Sequence, residues 1–193
     1  MIDGIARRPI MRGDGFALHP FRPSDATQLA AAVQESMASL SPWMPWAHLR
    51  YSVRDAQLWI ETCTENLVAG VSYDIGVYSE DGRTLLGGVA LNQLSPENAM
   101  ANLGYWIRRS HQGKGLATRA AVMMACFGFH RLHLTRIEIL AAERNLPSRR
   151  VAEKTGAQFE CLARNRLVLH GVPCRAAVYS LVPESFAPPP RGR

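Results

Sequence analysis

Gln112-Gly113-Lys114-Gly115-Leu116-Ala117-Thr118 is the stretch whose residue types and spacing best suit chemistry. It follows an apolar, strand-like run, Leu103-Gly-Tyr-Trp-Ile107, and opens a helix-like run reaching roughly His130. Glycines at such a junction let a ligand approach the backbone. The N–H groups of the first helical turn lack intrahelical partners, and the helix dipole favours an anion. The chemistry that fits is the binding of pyrophosphate. The segment is not a Walker A loop, because Gly115 rather than Ser or Thr follows Lys114 and no glycine precedes it at the required spacing. It is not a dinucleotide fingerprint either, because Gly-x-Gly-x-x-Gly is incomplete at Thr118.

Elements of both kinds must position this loop. Phe16–Phe21 reads as a short strand. A helix follows from Pro23-Ser-Asp, capped by Ser24 or Asp25, with Leu29, Ala32 and Val33 inward. Two prolines interrupt Ser41–Trp46 and exclude regular helix there. Ser52-Val-Arg-Asp starts a second helix with Leu58, Ile60 and Leu67 as its apolar positions. Strands are expected at 73–78, 84–94 and 99–108, the first two joined by a turn at Glu80-Asp-Gly-Arg83. After the loop and its helix come a buried strand at 135–140 and a short helix at 147–154 closed by Gly156. Two strands then pair around His170-Gly171. This order makes one α/β domain with a mixed sheet.

A length of 193 residues with 47% hydrophobic side chains supports one domain with a full core. No run of eighteen apolar residues is present, so no membrane span is expected, and no apolar stretch follows Arg7, Arg8 and Arg12 to make a secretory signal. Cys63, Cys126, Cys161 and Cys174 form no CxxC pair, and Cys126 sits among apolar residues that suggest core. That usage fits a reducing, cytoplasmic compartment. The histidines show no ligand spacing, so no metal is expected. The net charge of +6 is uneven: residues 1–107 are net −4, residues 108–150 net +7 and residues 151–193 net +3. The positive field centres on the loop, as for a polyanionic small ligand. A basic face can also serve nucleic acid. The acidic first half could suit a cationic acceptor.

Gln112, Gly115 and Ala117 stand in the order Gln-x-x-Gly-x-Ala, which resembles the acyl-CoA loop of the GNAT N-acetyltransferases. Leu103-Gly-Tyr-Trp-Ile107, Asn145-x-x-Ser148 with Val151-Ala-Glu-Lys-x-Gly156, and Trp43-x-Pro-Trp46 look like its RimJ/RimL branch, which includes ribosomal-protein N-terminal acetyltransferases. The resemblance covers roughly residues 14–183. It implies an N-terminal extension at 1–13, an acyl-CoA N-acyltransferase domain at 14–183 and a disordered tail at 184–193. The implied fold is a mixed, mostly antiparallel sheet of about seven strands, splayed at its centre and flanked by about four helices.

The resemblance also implies a reaction, the direct transfer of an acetyl group from acetyl-CoA to a primary amine. Backbone N–H groups from about Gly113 through Lys114, Gly115, Leu116 and Ala117 to Thr118 would hold the pyrophosphate, with Gln112 also in the cofactor-binding loop. Lys114, Arg109 or Arg119 would meet the ribose 3′-phosphate. Exposed backbone at Ile107 and Arg109 would pair with the pantetheine amides, and the Ile107 N–H would polarise the thioester. Asn145 would bind the pantetheine arm or cap the following helix, and Ser148 matches the position that protonates the leaving thiolate. Relatives often carry Glu where Asn102 stands, and Asn102 cannot accept the amine proton. Glu138 and Glu143 are the nearest acids in sequence. Trp43, Trp46, Tyr105 and Trp106 would wall the acceptor. The implied acceptor is a ribosomal or other protein N-terminus, with a small amine such as a polyamine or aminoglycoside as the alternative. A homodimer accords with family habit, and no direct nucleic-acid contact is implied. An inert acyl-CoA sensor and a basic RNA-binding module are the readings from other classes.

Overall fold

The computed structural model describes residues 11–186. Residues 1–10 and 187–193, which hold most of the expected extension and tail, lie outside the described residues. The elements are β1 (Met11–Gly13), β2 (Phe16–Pro20), α1 (Ala26–Glu35), α2 (Met37–Leu40), α3 (Val53–Ala69), β3 (Tyr73–Ser79), β4 (Leu85–Ser95), β5 (Met100–Ile107), α4 (Leu116–Arg131), β6 (Arg136–Ala142), α5 (Leu146–Lys154), β7 (Gln158–Leu169) and β8 (Val172–Leu181).

The eight strands form one sheet in the order β1-β2-β3-β4-β5-β6-β8-β7. Among the described strands only β5 and β6 run parallel, because α4 carries the chain across between them. The strand beyond the expected seven is β1, which pairs Met11–Gly13 with Phe16–Leu18 in a stretch assigned to the extension. At the other end, Pro183–Phe186 forms a 3-10 turn whose Phe186 packs on the core, so order extends past residue 183.

Helices cover both faces. On one side α1 and α3 enclose Leu29, Val33, Ala56, Ile60 and Cys63 with Tyr78 and Leu85 of the sheet. On the other, α4 buries Leu116, Ala120, Met124 and Phe129 against Ile75, Leu91, Leu103 and Ile137. The capping box that starts α3 is formed: the Asp55 N–H donates to Ser52 Oγ, and the Ser52 N–H donates to Asp55 Oδ2. The inward stripe of α3 is Ala56, Ile60 and Cys63, at helical spacing. Leu58, expected inside, is exposed because it lies two residues from each of Ala56 and Ile60 and so faces away from them. Cys126 is only half-buried, on the flank of α4. Gly87 lets β4 and β5 close: a Cβ there would lie 2.2 Å from the Trp106 carbonyl oxygen.

Candidate acyl-transfer site

The sheet opens between β5 and β6. They pair only at Met100–Asn102 with Arg136–Glu138, after which β5 continues along β4 as far as Ile107 and β6 continues along β8 as far as Ala142. The register decides where the backbone points. The Arg108 N–H donates to the Leu86 carbonyl at 2.8 Å, so even-numbered β5 residues turn their polar groups toward β4. Antiparallel pairing alternates these directions. Leu103, Tyr105 and Ile107 therefore turn theirs toward β6. The Leu103 N–H still belongs to the paired stretch, while the Leu103 carbonyl and the backbone groups of Tyr105 and Ile107 lie beyond it, where no strand meets them. A cleft of about 150 Å³ occupies it, lined by Leu103, Gly104 and Tyr105 on one lip and residues 139–142 on the other.

At one end of the opening lies the glycine loop. Gly113 and Gly115 adopt φ of 77° and 71°, and a Cβ on either would meet nothing within 4 Å. The glycines therefore serve a left-handed turn. Gly115 caps α4 without a side-chain acceptor, so the N–H groups of Leu116, Ala117 and Thr118 leave the helix end without intrahelical partners. The side chains of Lys114 and Arg109 have no ion-pair partner among the described residues. Arg119 differs: its guanidinium donates to the Asp14 carbonyl at 2.7 Å and sits over the Phe16 ring.

The loop is held from behind by residues that the motifs did not reveal. Arg108 pairs with Glu35, which also accepts from the Ser110 N–H at 2.8 Å. Burial raises the Glu35 carboxyl, but the bonds from Ser110 and Arg108 outweigh it and bring the pKa to about 2. Ser36 Oγ accepts from the Arg109 N–H at 2.9 Å. This corrects the expectation that the Arg109 backbone is open to a pantetheine amide, since its one N–H is already used. Gln112 turns back, donating to the Ile107 carbonyl at 2.8 Å, and so braces the loop against the end of β5. No local pattern announces Glu35 and Ser36, because their partners lie more than seventy residues away.

At the far lip, the Asn145 side chain accepts from the Ser148 N–H at 3.2 Å and caps α5, while both residues line the cleft. The Tyr105 hydroxyl crosses the opening, donating to the Ser148 carbonyl at 2.8 Å with Ser148 Oγ at 3.3 Å. Burial pushes the Tyr105 phenol up to about 12. Trp43 and Met44 from the loop after α2, and Leu167 and Leu169 from β7, complete the lining. Of the four aromatics, Trp43 and Tyr105 line the cleft. Trp46 and Trp106 are outside its lining and pack on each other edge-to-face, with centroids 6.2 Å apart.

Asn102 sits at the fork of the opening, donating to Asn92 Oδ1 at 2.9 Å, with its own Oδ1 buried and without a donor. Glu138 is its neighbour in register but is held by Arg136 and Arg166. Glu143 is held by both nitrogen arms of Arg175. The two nearest acids are thus each bound to arginine.

Comparison with known proteins accords with this geometry. The family model of the acetyltransferase (GNAT) domain matches residues 16–158. The chain is 30% identical over 170 residues, 83% of its length and 87% of the relative's, to YdaF of Bacillus subtilis (strain 168), provisionally named a ribosomal N-acetyltransferase. It is 24% identical over 150 residues to the ribosomal-protein-serine acetyltransferase of Escherichia coli (strain K12), covering 77% of this chain and 83% of that one. Among solved structures, a RimL ribosomal alpha-N-protein acetyltransferase in complex with coenzyme A shares the fold, with a TM-score of 0.82 at 19% identity over 91% of this chain and 98% of that one. An open seam between two parallel strands, ending at a glycine turn on a helix, together with a domain match over most of the chain, places this protein in the GNAT acetyltransferase family, as an N-acetyltransferase.

Proposed function

We propose that the protein transfers an acetyl group from acetyl-CoA to the α-amine of a protein or peptide N-terminus. The observation that carries the reading is the fork between β5 and β6. It leaves the Leu103 carbonyl, the Tyr105 backbone and the Ile107 N–H without a strand partner, across from a lip that holds Asn145 and Ser148, with the glycine loop at one end. The residues present suit acetyl-CoA along that whole path. The loop N–H groups offer donors for a pyrophosphate, and Lys114 or Arg109 offers an unpaired cation for the 3′-phosphate. The β5 backbone offers partners for pantetheine amides.

Acetyl-CoA supplies an activated acyl carbon and a thiolate leaving group. The amine lone pair attacks the carbonyl carbon while the Ile107 N–H faces the oxygen that gains charge. The C–S bond then breaks with its electron pair on sulfur, and Ser148 Oγ–H delivers a proton to that sulfur and takes one back from water. The amine gives up its own proton to water. No carboxylate lines the cleft, and Asn102 carries a neutral amide where a base would help. The acceptor must therefore arrive already neutral. An α-amine has a reference pKa of about 7.7–8.0 against about 10.4 for lysine, so at pH 7 roughly several-hundred-fold more of it is neutral. That ratio favours an N-terminus over a lysine side chain. The names of the ribosomal-protein relatives point the same way.

The test is acetyl-CoA binding by calorimetry, followed by thiol release with free and N-acetylated forms of one lysine-containing peptide. Release only with the free N-terminus, with kcat/KM rising through the pKa of that amine, is the expected result. Equal release from both peptides would overturn the α-amine assignment. Binding without release from any amine would mark an acyl-CoA sensor, and no binding at low salt would remove acetyl-CoA itself.

A further inference from the structure

Resting on the acetyl-transfer reading, we propose that Trp43, Met44, Leu167 and Leu169 select the acceptor by the side chain beside its amine, which is uncharged and apolar and brings no second cation into the cleft. These four residues are the part of the lining that comes from neither strand of the fork nor from α5 and its capping Asn145. They belong to two segments more than 120 residues apart, the loop after α2 and the end of β7. The segments meet where His170 Nε2 lies 2.7 Å from the Ser41 carbonyl oxygen. The acceptor end of the cleft is therefore walled by one aromatic ring, one thioether and two leucines.

None of the thirteen residues lining the cleft is charged. The carboxylates on the elements around it are committed elsewhere. Glu138 is held by Arg136 and Arg166, Glu143 by Arg175, Glu153 by the Tyr179 hydroxyl, and Glu160 by Arg136 and Ser180. On the segments leading to the cleft, Arg144 beside Asn145 and Arg164 on β7 are exposed cations without an ion-pair partner among the described residues. A second positive charge on the acceptor would thus lose its water, find no counter-ion and meet like charge. The acidic character of residues 1–107, which suggested a cationic acceptor, does not extend to this surface. Size acts in the same direction. At about 150 Å³ the cleft is smaller than the roughly 300–1,000 Å³ of sites that enclose a whole drug-sized ligand. It can enclose the reacting thioester and one terminal side chain, with the rest of the acceptor outside.

The test uses the full chain with acetyl-CoA and equal-length peptides that begin with Leu, Met, Lys or Asp, together with spermidine and an aminoglycoside. The expected result is a kcat/KM at least about tenfold higher for the Leu- and Met-first peptides than for the Lys- and Asp-first ones, with the two polyamines slower still. Leu167→Glu places a carboxylate in the wall and is expected to narrow the Leu-over-Lys ratio by about tenfold or more, read at saturating acetyl-CoA. Met44→Glu makes the same change on the opposite segment and carries the test if Leu167→Glu fails to fold by circular dichroism. Turnover led by spermidine, the aminoglycoside or the Lys-first peptide would overturn the proposal while leaving acetyl transfer intact. Acetyl-CoA binding with no thiol release from any acceptor would remove the transfer reading and this proposal together.

Discussion

Ser148 shows how much one position owes to its partners. Its place after Asn145 is legible as Asn-x-x-Ser, and the cap that Asn145 provides follows from that spacing. The bond from the Tyr105 hydroxyl to its carbonyl is not legible, because it spans 43 residues and crosses the opening of the sheet. Tyr105 lines the cleft, and its hydroxyl also lies against α5 as a strut. With its phenol pushed up to about 12 by burial, Tyr105 keeps its proton throughout the neutral range. Ser148→Ala is expected to lower kcat by about 100-fold, the lower end of the range for a positioned proton donor, with the acetyl-CoA Kd within about twofold. Tyr105→Phe removes the strut and is expected to cost about tenfold in kcat. The double variant should fall short of the product of the two losses, because both act on one hydroxyl. Steady-state kinetics on the four proteins checks this, and fully multiplicative losses would make Tyr105 independent of Ser148.

At the scale of elements, the glycine loop and α4 were the most legible part of the chain. Glycine next to glycine-compatible turn chemistry, ahead of an apolar helix, has few other uses. What it lacked was its backing. The end of α1 grips residues 108–110 through Glu35 and Ser36, and Gln112 grips Ile107, so the loop is braced on two sides. Gly115 has no crowding around its Cβ position but sits at φ 71°. Gly115→Ala must then pay about 1–2 kcal/mol to keep the left-handed turn. If the turn shifts instead, acetyl-CoA affinity is expected to weaken by about 5- to 30-fold. Calorimetry on the variant distinguishes the cases, since a stability loss with unchanged affinity would mean that the turn survives. The α3 helix is a contrasting lesson. Its Ser52-x-x-Asp55 start was readable, and of its apolar positions Leu58, Ile60 and Leu67, only Ile60 belongs to the buried stripe of Ala56, Ile60 and Cys63.

For the whole molecule, the long-range ion pairs set its acid limit. Glu35 ties α1 to the loop, and Glu160 ties β7 to β6 through Arg136, with Ser180 as a second donor. Both carboxyls are lowered from 4.5 to about 2 in the fold: Glu35 against an opposing effect of burial, and Glu160 chiefly through its bond from Arg136. A lowered folded pKa contributes stability that is complete above the unfolded value and is lost as pH falls toward the folded one. The contribution of these two groups is therefore constant above about pH 5 and declines between about pH 4.5 and 2. Thermal melts across that window should show the decline, and Glu160→Gln should make it shallower. An unchanged slope in the variant would remove Glu160 from the account.

By itself the sequence determined what is local: a glycine turn that opens a helix, two helix starts with their capping residues, strand-like runs in a workable order, and a positive field centred on residues 108–150. Those features depend on neighbours within a few positions, so composition and spacing carry them. Only the tertiary structure decided that β5 and β6 part after Asn102, that Tyr105 reaches Ser148 while Glu35 and Ser36 brace the loop, and that Trp43, Met44, Leu167 and Leu169 line one uncharged cleft. Each of these joins segments tens of residues apart. Their pairing depends on register and packing across the sheet, which no window of sequence encodes.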